Sequence, residues 1–166
     1  KGYVGTGNDG ILKRDFWEYR PQLVTASGPL SFCQGGSVVL TANHGSSFYW
    51  STGATTSSIT AANSGTYLLV ADATYTEIVT VTVAPAPVLI VTAPAGVCGA
   101  GTVDLTDAAV TAGSAPGLAL TYWTDADTTS SYPTPATATN GTYYIKGVNA
   151  AGCSAVVPVS ATISEL

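Results

Sequence analysis

The chain is short of charge. Only 9% of its 166 residues are Asp, Glu, Lys or Arg, against about a quarter in ordinary soluble domains. Positive charge is scarcest. Lys1, Lys13, Arg14 and Arg20 fall in the first twenty residues, and only Lys146 follows them. No basic patch exists to neutralise phosphates, which excludes nucleic-acid binding. His44 is the only histidine. It sits in the turn signal Asn43-His44-Gly45, whereas a catalytic triad needs a buried, oriented base. One His and three scattered Cys do not make a zinc ligand set. No apolar run reaches eighteen residues, so no helical membrane span is expected. No segment sustains a helical apolar period, which leaves strands. There is no Met at the start, so the chain is either a processed form or a segment of something longer.

What is present is apolar and neutral-polar. Hydrophobic residues make up 46% of the chain, enough to build a core. Thr, Ser, Gly, Asn and Ala must cover the surface in place of charge. Thr and Ser suit strands and turns without counter-ions. This composition is expected of a secreted protein.

One pattern occurs twice. Phe48-Tyr49-Trp50-Ser51-Thr52-Gly53 is followed by Gly65-Thr66-Tyr67, and Tyr122-Trp123-Thr124 by Gly141-Thr142-Tyr143. An internal echo of this kind indicates tandem copies of one unit. A Trp on one strand and a Gly-x-Tyr on a later one is how immunoglobulin-like sandwiches pin their sheets together. The expected fold is therefore all-β, two tandem Ig-like sandwiches preceded by a β arm. The arm covers residues 1–21, the first sandwich 22–84, the linker 85–87 and the second sandwich 88–166. Ala84-Pro85-Ala86-Pro87 favours an extended, semi-rigid spacer, so the two units are expected to stand end to end as a rod.

Alternation supplies the strands. Ser37–Ala42, Ser47–Thr52, Ser57–Thr60, Gly65–Asp72 and Thr76–Val83 are expected in the first unit, with Val79, Val81 and Val83 inward. The second unit offers Val88–Val91, Thr102–Thr106, Leu118–Thr124, a strand through Tyr143 and Ile145, and Ala155–Ile163. Expected core residues are Trp50, Tyr67, Leu69, Trp123, Tyr143 and Ile145. Trp123 conflicts with its own strand, because Leu118, Leu120 and Tyr122 share the other face. Either a bulge re-aims Trp123 or Tyr122 takes the inward place.

Three cysteines leave one unpaired within the chain. Cys98 and Cys153 both lie in the second copy and are expected to pair. Cys33 is then a free thiol in the first copy. Antibody-type domains carry Cys two residues after the corner tyrosine. Leu69 and Ile145 stand there instead, so apolar packing replaces that disulfide.

In the arm, Gly2-Tyr3-Val4-Gly5-Thr6-Gly7, then Asp9-Gly10, then Asp15-Phe16-Trp17-Glu18-Tyr19 and Pro21, resembles a Kelch repeat of the bacterial kind. A propeller blade needs four strands and only two are here. Either a propeller lies upstream, or the arm joins another sheet through Tyr3, Phe16, Trp17 and Tyr19.

Farther on, Phe32-Cys33-Gln34-Gly35-Gly36-Ser37-Val38, Tyr49–Ile59 and Ser64-Gly65-Thr66-Tyr67 resemble the Ig-like repeats of large secreted surface adhesins of gliding Bacteroidetes. Val97-Cys98, Gly101–Thr106, Tyr122-Trp123-Thr124, Gly141–Gly147 and Gly152-Cys153-Ser154 resemble a second repeat type of the same giant proteins. The likeness spans nearly all of residues 22–164. It implies type IX secretion, a place in a stalk, adhesin or filament, and partners that are other copies or neighbouring domains of the same surface protein. The chain departs from the pattern at Ala73–Glu77, where the family has Gly-Cys. No cofactor and no catalytic residue is expected. Two other readings are a filament subunit joined by strand donation from the arm, and a module binding surface glycans by stacking on Trp17, Tyr19 or Tyr132. Asp125 and Asp127 offer oxygens of the kind calcium takes, but a full site needs six or more.

Overall fold

The computed structural model describes residues 22–99 and 101–165. Tyr3, Phe16, Trp17 and Tyr19, and with them the arm, lie outside the described residues. Among the described residues the chain is all-β. Its one helical turn is the short 3₁₀ segment Pro135–Thr137. Among the described residues no helix is long and apolar enough to cross a membrane.

Residues 22–84 form seven strands: β1 (Val24–Ala26), β2 (Ser31–Cys33), β3 (Val38–Ala42), β4 (Phe48–Trp50), β5 (Ser58–Ala61), β6 (Gly65–Ala71) and β7 (Tyr75–Ala84). They make two sheets, ordered β1-β3-β5 and β2-β7-β6-β4. Alternation sets which side chains meet between them. Val38 and Leu40 point inward from β3, and Leu69 and Ala71 from β6. Val79 and Val81 point inward from β7, with Thr80 and Thr82 outside. One cluster therefore draws Val24, Leu40 and Ala61 from the first sheet and Trp50, Leu69 and Val81 from the second. The sheets are also tied by a polar contact. Glu77 of β7 accepts hydrogen bonds from the backbone N–H of Leu23 (2.6 Å) and Val24 (3.0 Å) with one carboxylate oxygen.

The rest of the chain forms β8 (Val97–Cys98), β9 (Ala119–Trp123), β10 (Gly141–Val148), β11 (Ser154–Ala161) and β12 (Ile163–Ser164). β11-β10-β9 is an antiparallel sheet, and β12 pairs with β8 in parallel. Tyr143, Ile145, Val159 and Ala161 face Val103, Leu105, Val110 and Ala138 in a second cluster, which shares no residue with the first.

Two expected strands of this half are not regular strands. Thr102–Thr106 keeps only a bridge between Val103 and Ala138. The Asp104 carboxylate takes the N–H and the hydroxyl of Thr106, at 2.7 and 2.6 Å, and such local bonds compete with a ladder. In Val88–Val91, Ile90 bonds through both its N–H and its C=O to the Ser114 hydroxyl instead of to a neighbouring strand.

Trp123 is not a buried core residue. β9 pairs with β10 without a bulge, Tyr122 opposite Ile145 and Trp123 opposite Tyr144. Ile145 is fully buried, so Tyr122 shares its face and packs on the core. Trp123 lies half-buried on the other face. Its Nε1 donates to Thr121 Oγ1 at 2.9 Å, and Lys146 Nζ stands 5.9 Å from its ring centre.

Candidate functional site at the disulfide-clamped junction

Two turns and the start of the linker meet between the clusters. The first turn follows β2. Gly36 N–H donates to Cys33 O, and Gly35 sits at φ 94°, the left-handed conformation required at the third position of a type II turn. A Cβ on Gly36 would lie 3.0 Å from the Phe32 ring and 3.2 Å from Cys33 O, so glycine is needed there for close approach. β2 runs parallel to the end of β7 and sets Cys33 opposite Ala84. Gln34 N–H donates to Ala84 O at 2.8 Å.

The second turn joins β10 to β11. Asn149 N–H donates to Cys153 O, Gly152 N–H donates to Asn149 O, and Gly152 has φ 81°. This is a three-residue hairpin loop closed by a left-handed glycine. Asn149 builds it from inside: its Oδ1 accepts from the N–H of Ala151 and of Cys153, both at 3.0 Å. Its Nδ2 reaches out of the hairpin and donates to Pro85 O at 3.2 Å. Gly147, on β10, lets leucine side chains pack close to the backbone. A Cβ there would meet Leu118 at 3.1 Å and Leu89 at 3.5 Å.

Cys33 and Cys153 close the junction as a disulfide, with Cα atoms 5.6 Å apart and a sequence separation of 120. Cys153 is buried and Cys33 half-buried. This corrects both expectations about the cysteines: Cys98 is not bonded to Cys153, and Cys33 is not free. Cys98 is an exposed thiol. It lies on β8 opposite Ser164, beyond the far end of β11, whereas Cys153 precedes the near end of β11. Eight residues at about 3.4 Å each put the ends of β11 roughly 25 Å apart, and bonded cysteines need Cα atoms within about 7 Å.

Of the remaining expected core residues, Trp50, Leu69 and Ile145 are fully buried, Tyr143 is buried, and Tyr67 is half-buried. Trp50 Nε1 donates to Thr56 O at 2.9 Å. The two tyrosines behave alike. Tyr67 OH donates to Asn63 O at 2.9 Å and Tyr143 OH to Thr139 O at 3.2 Å, each four residues back. Tyr132 packs on Tyr143 with ring centres 4.5 Å apart, so one face of its ring is occupied.

The acidic groups are committed locally. Asp125 accepts from Thr129 N–H and Ser130 N–H with its two oxygens. Asp72 takes Ser46 N–H and Ser47 N–H and so joins two loops. These bonds hold Asp72 below the ordinary carboxyl value, chiefly through Ser46 N–H, and Asp125 likewise, chiefly through Thr129 N–H. The Thr106 hydroxyl does most to lower Asp104. Burial pushes the Tyr122 phenol up, with Asp104 adding to it. Among the described residues no three His, Cys, Asp or Glu cluster as metal ligands would. An open cleft of about 360 Å³ runs between Thr92–Val97 and Thr102–Val110. Its carboxylates, Asp104 and Asp107, already bond to Thr106 and Ala109.

The residues that sequence reasoning missed are Asn149 and Glu77. Asn149 had a signal, Asn-x-x-Gly between two apolar runs. Glu77 had none, because its acceptor role depends on where β1 ends up. No protein-family model matches the chain, and no curated protein matches it.

Proposed function

We propose that the chain is a non-catalytic structural segment of a secreted bacterial surface protein, two Ig-like sandwiches clamped end to end as part of a stalk, adhesin or filament. The observation that carries this reading is the Cys33–Cys153 bond. It joins the two halves covalently at their linker. Structural disulfides persist in oxidising, extracellular settings. A bond at a linker removes the relative motion that semi-independent units have by default.

The Ig-like assignment draws support from three features. Two sheets face each other around a central Trp50. Tyr67 and Tyr143 each bond back to a carbonyl four residues upstream, as a tyrosine corner does. The aromatic and Gly-Thr-Tyr motifs repeat in the same order. The non-catalytic assignment is supported by Asp72, Asp104 and Asp125, whose oxygens are spent on neighbouring N–H and hydroxyl groups.

Immunogold labelling of intact source cells tests the reading. Antibody to the chain is expected to decorate the surface, or filaments leaving it, without permeabilisation. Labelling that appears only after permeabilisation overturns the proposal.

A further inference from the structure

We infer that the Cys33–Cys153 bond is a mechanical bypass, which carries tension past most of both hydrophobic cores, all but Leu23 and Val24 of the first and Val159 and Ala161 of the second, and caps how far the chain can be drawn out. The bypass is topological and holds wherever the protein is displayed. Tension entering at residue 22 and leaving at residue 165 follows the shortest covalent path. With the bond closed, that path runs from residue 22 to Cys33, across the sulfurs, and from Cys153 to residue 165. The strands on it are β1 and β2 before the bond, and β11 and β12 after it.

All four are edge strands of their sheets. β1 ends the order β1-β3-β5, β2 ends β2-β7-β6-β4, β11 ends β11-β10-β9, and β12 ends its two-stranded pair. An edge strand can be drawn off without parting the strands behind it. The other eight strands, β3 to β10, lie inside the closed loop with Trp50, Leu69, Leu105 and Ile145. Their backbone lies off the covalent path that bears the load while the bond holds. Even complete loss of structure inside the loop adds no length to the tether. The short path has about two dozen residues, which reach roughly 80 Å at about 3.5 Å each. Opening the bond adds a loop of sequence separation 120, or about 400 Å at the same reach. The described chain then extends about sixfold farther.

The junction is built to keep the bypass short. Cys33 is the last residue of β2, and Cys153 immediately precedes β11. Cys153 is buried against the end of β7, with its sulfur 3.9 Å from Ala84 O, which shields that sulfur from attacking thiols.

Single-molecule stretching of the full chain, held at its two ends, tests this. The first 21 residues add the same length in every arm of the experiment. The oxidised protein is expected to stop after extension of its end segments, with no further step at forces that unfold β-sandwiches. Adding dithiothreitol under load reduces the bond to two thiols, the reagent itself closing to a disulfide with loss of two electrons. A new gain of about 400 Å is expected then. Cys33→Ser is expected to show that gain without reductant, and Cys98→Ser to behave as the oxidised wild type. If the oxidised wild type extends by the full length before any reductant is added, the bypass is wrong. That comparison uses the native chain and does not depend on a variant folding.

Discussion

Trp50 and Trp123 occupy corresponding places in the two aromatic motifs, yet only Trp50 is fully buried. Its ring fills the space between the two sheets and its Nε1 is satisfied by Thr56 O. Removing it leaves a cavity in a small core, so Trp50→Ala is expected to cost about 3–5 kcal/mol. Trp123 covers the outer face of β9 beside Lys146, and Trp123→Ala is expected to cost about 1 kcal/mol or less. Denaturant titration of the two variants checks the difference, and equal losses would contradict it. The carboxylates act at the same scale. Asp72, Asp104 and Asp125 are all lowered from an ordinary value of 3.8 by hydrogen bonds made in the folded state. A group with a depressed folded pKa stabilises above its unfolded value, and that contribution is lost as pH falls through the folded one. The melting temperature is therefore expected to hold from neutral pH to about 5 and to fall below about pH 4. Asp72→Asn should flatten part of that fall. A profile that stays level to pH 2.5 would contradict the assignment.

At the scale of elements, the hairpin of β10 and β11 joins the second unit to the first. Asn149 shapes its tip and also binds Pro85 of the linker. Asn149→Ala removes three hydrogen bonds and is expected to destabilise by about 1–3 kcal/mol. Asn149→Asp should recover part of this, because a carboxylate oxygen can still accept from Ala151 and Cys153. An Asn149→Ala protein as stable as wild type would show that the tip is held otherwise. The long strands were legible in the sequence because one of their faces is wet and alternation is visible: β3, β6 and β7 fall within a residue of the expected spans, β11 within two, and β10 runs through Tyr143 and Ile145 as expected. β2, β8 and β12 were not. Each is two or three residues long and pairs in parallel with a distant segment, which leaves no period to read. Trp123 was half legible. The parity of Leu118, Leu120 and Tyr122 already opposed it, and the regular register of β9 decided for Tyr122. The disulfide could not be read by counting cysteines within each expected copy, because it joins Cys33 in one half of the chain to Cys153 in the other. Its geometry depends on how the hairpin tip meets the end of β7.

For the whole molecule, the Cys33–Cys153 bond turns two cores that share no residue into one covalently closed piece. A loop of this length stabilises by about 5 kcal/mol in the chain-entropy account, an amount comparable to the whole stability of a small domain. The clamp, the protected cores and the spacer reading all rest on which cysteines are joined. The most direct measurement is peptide mapping of the unreduced protein after alkylation of its free thiols. The account predicts one disulfide-linked pair of peptides containing Cys33 and Cys153, with Cys98 alkylated. A linked pair containing Cys98 and Cys153, with Cys33 alkylated, would contradict it.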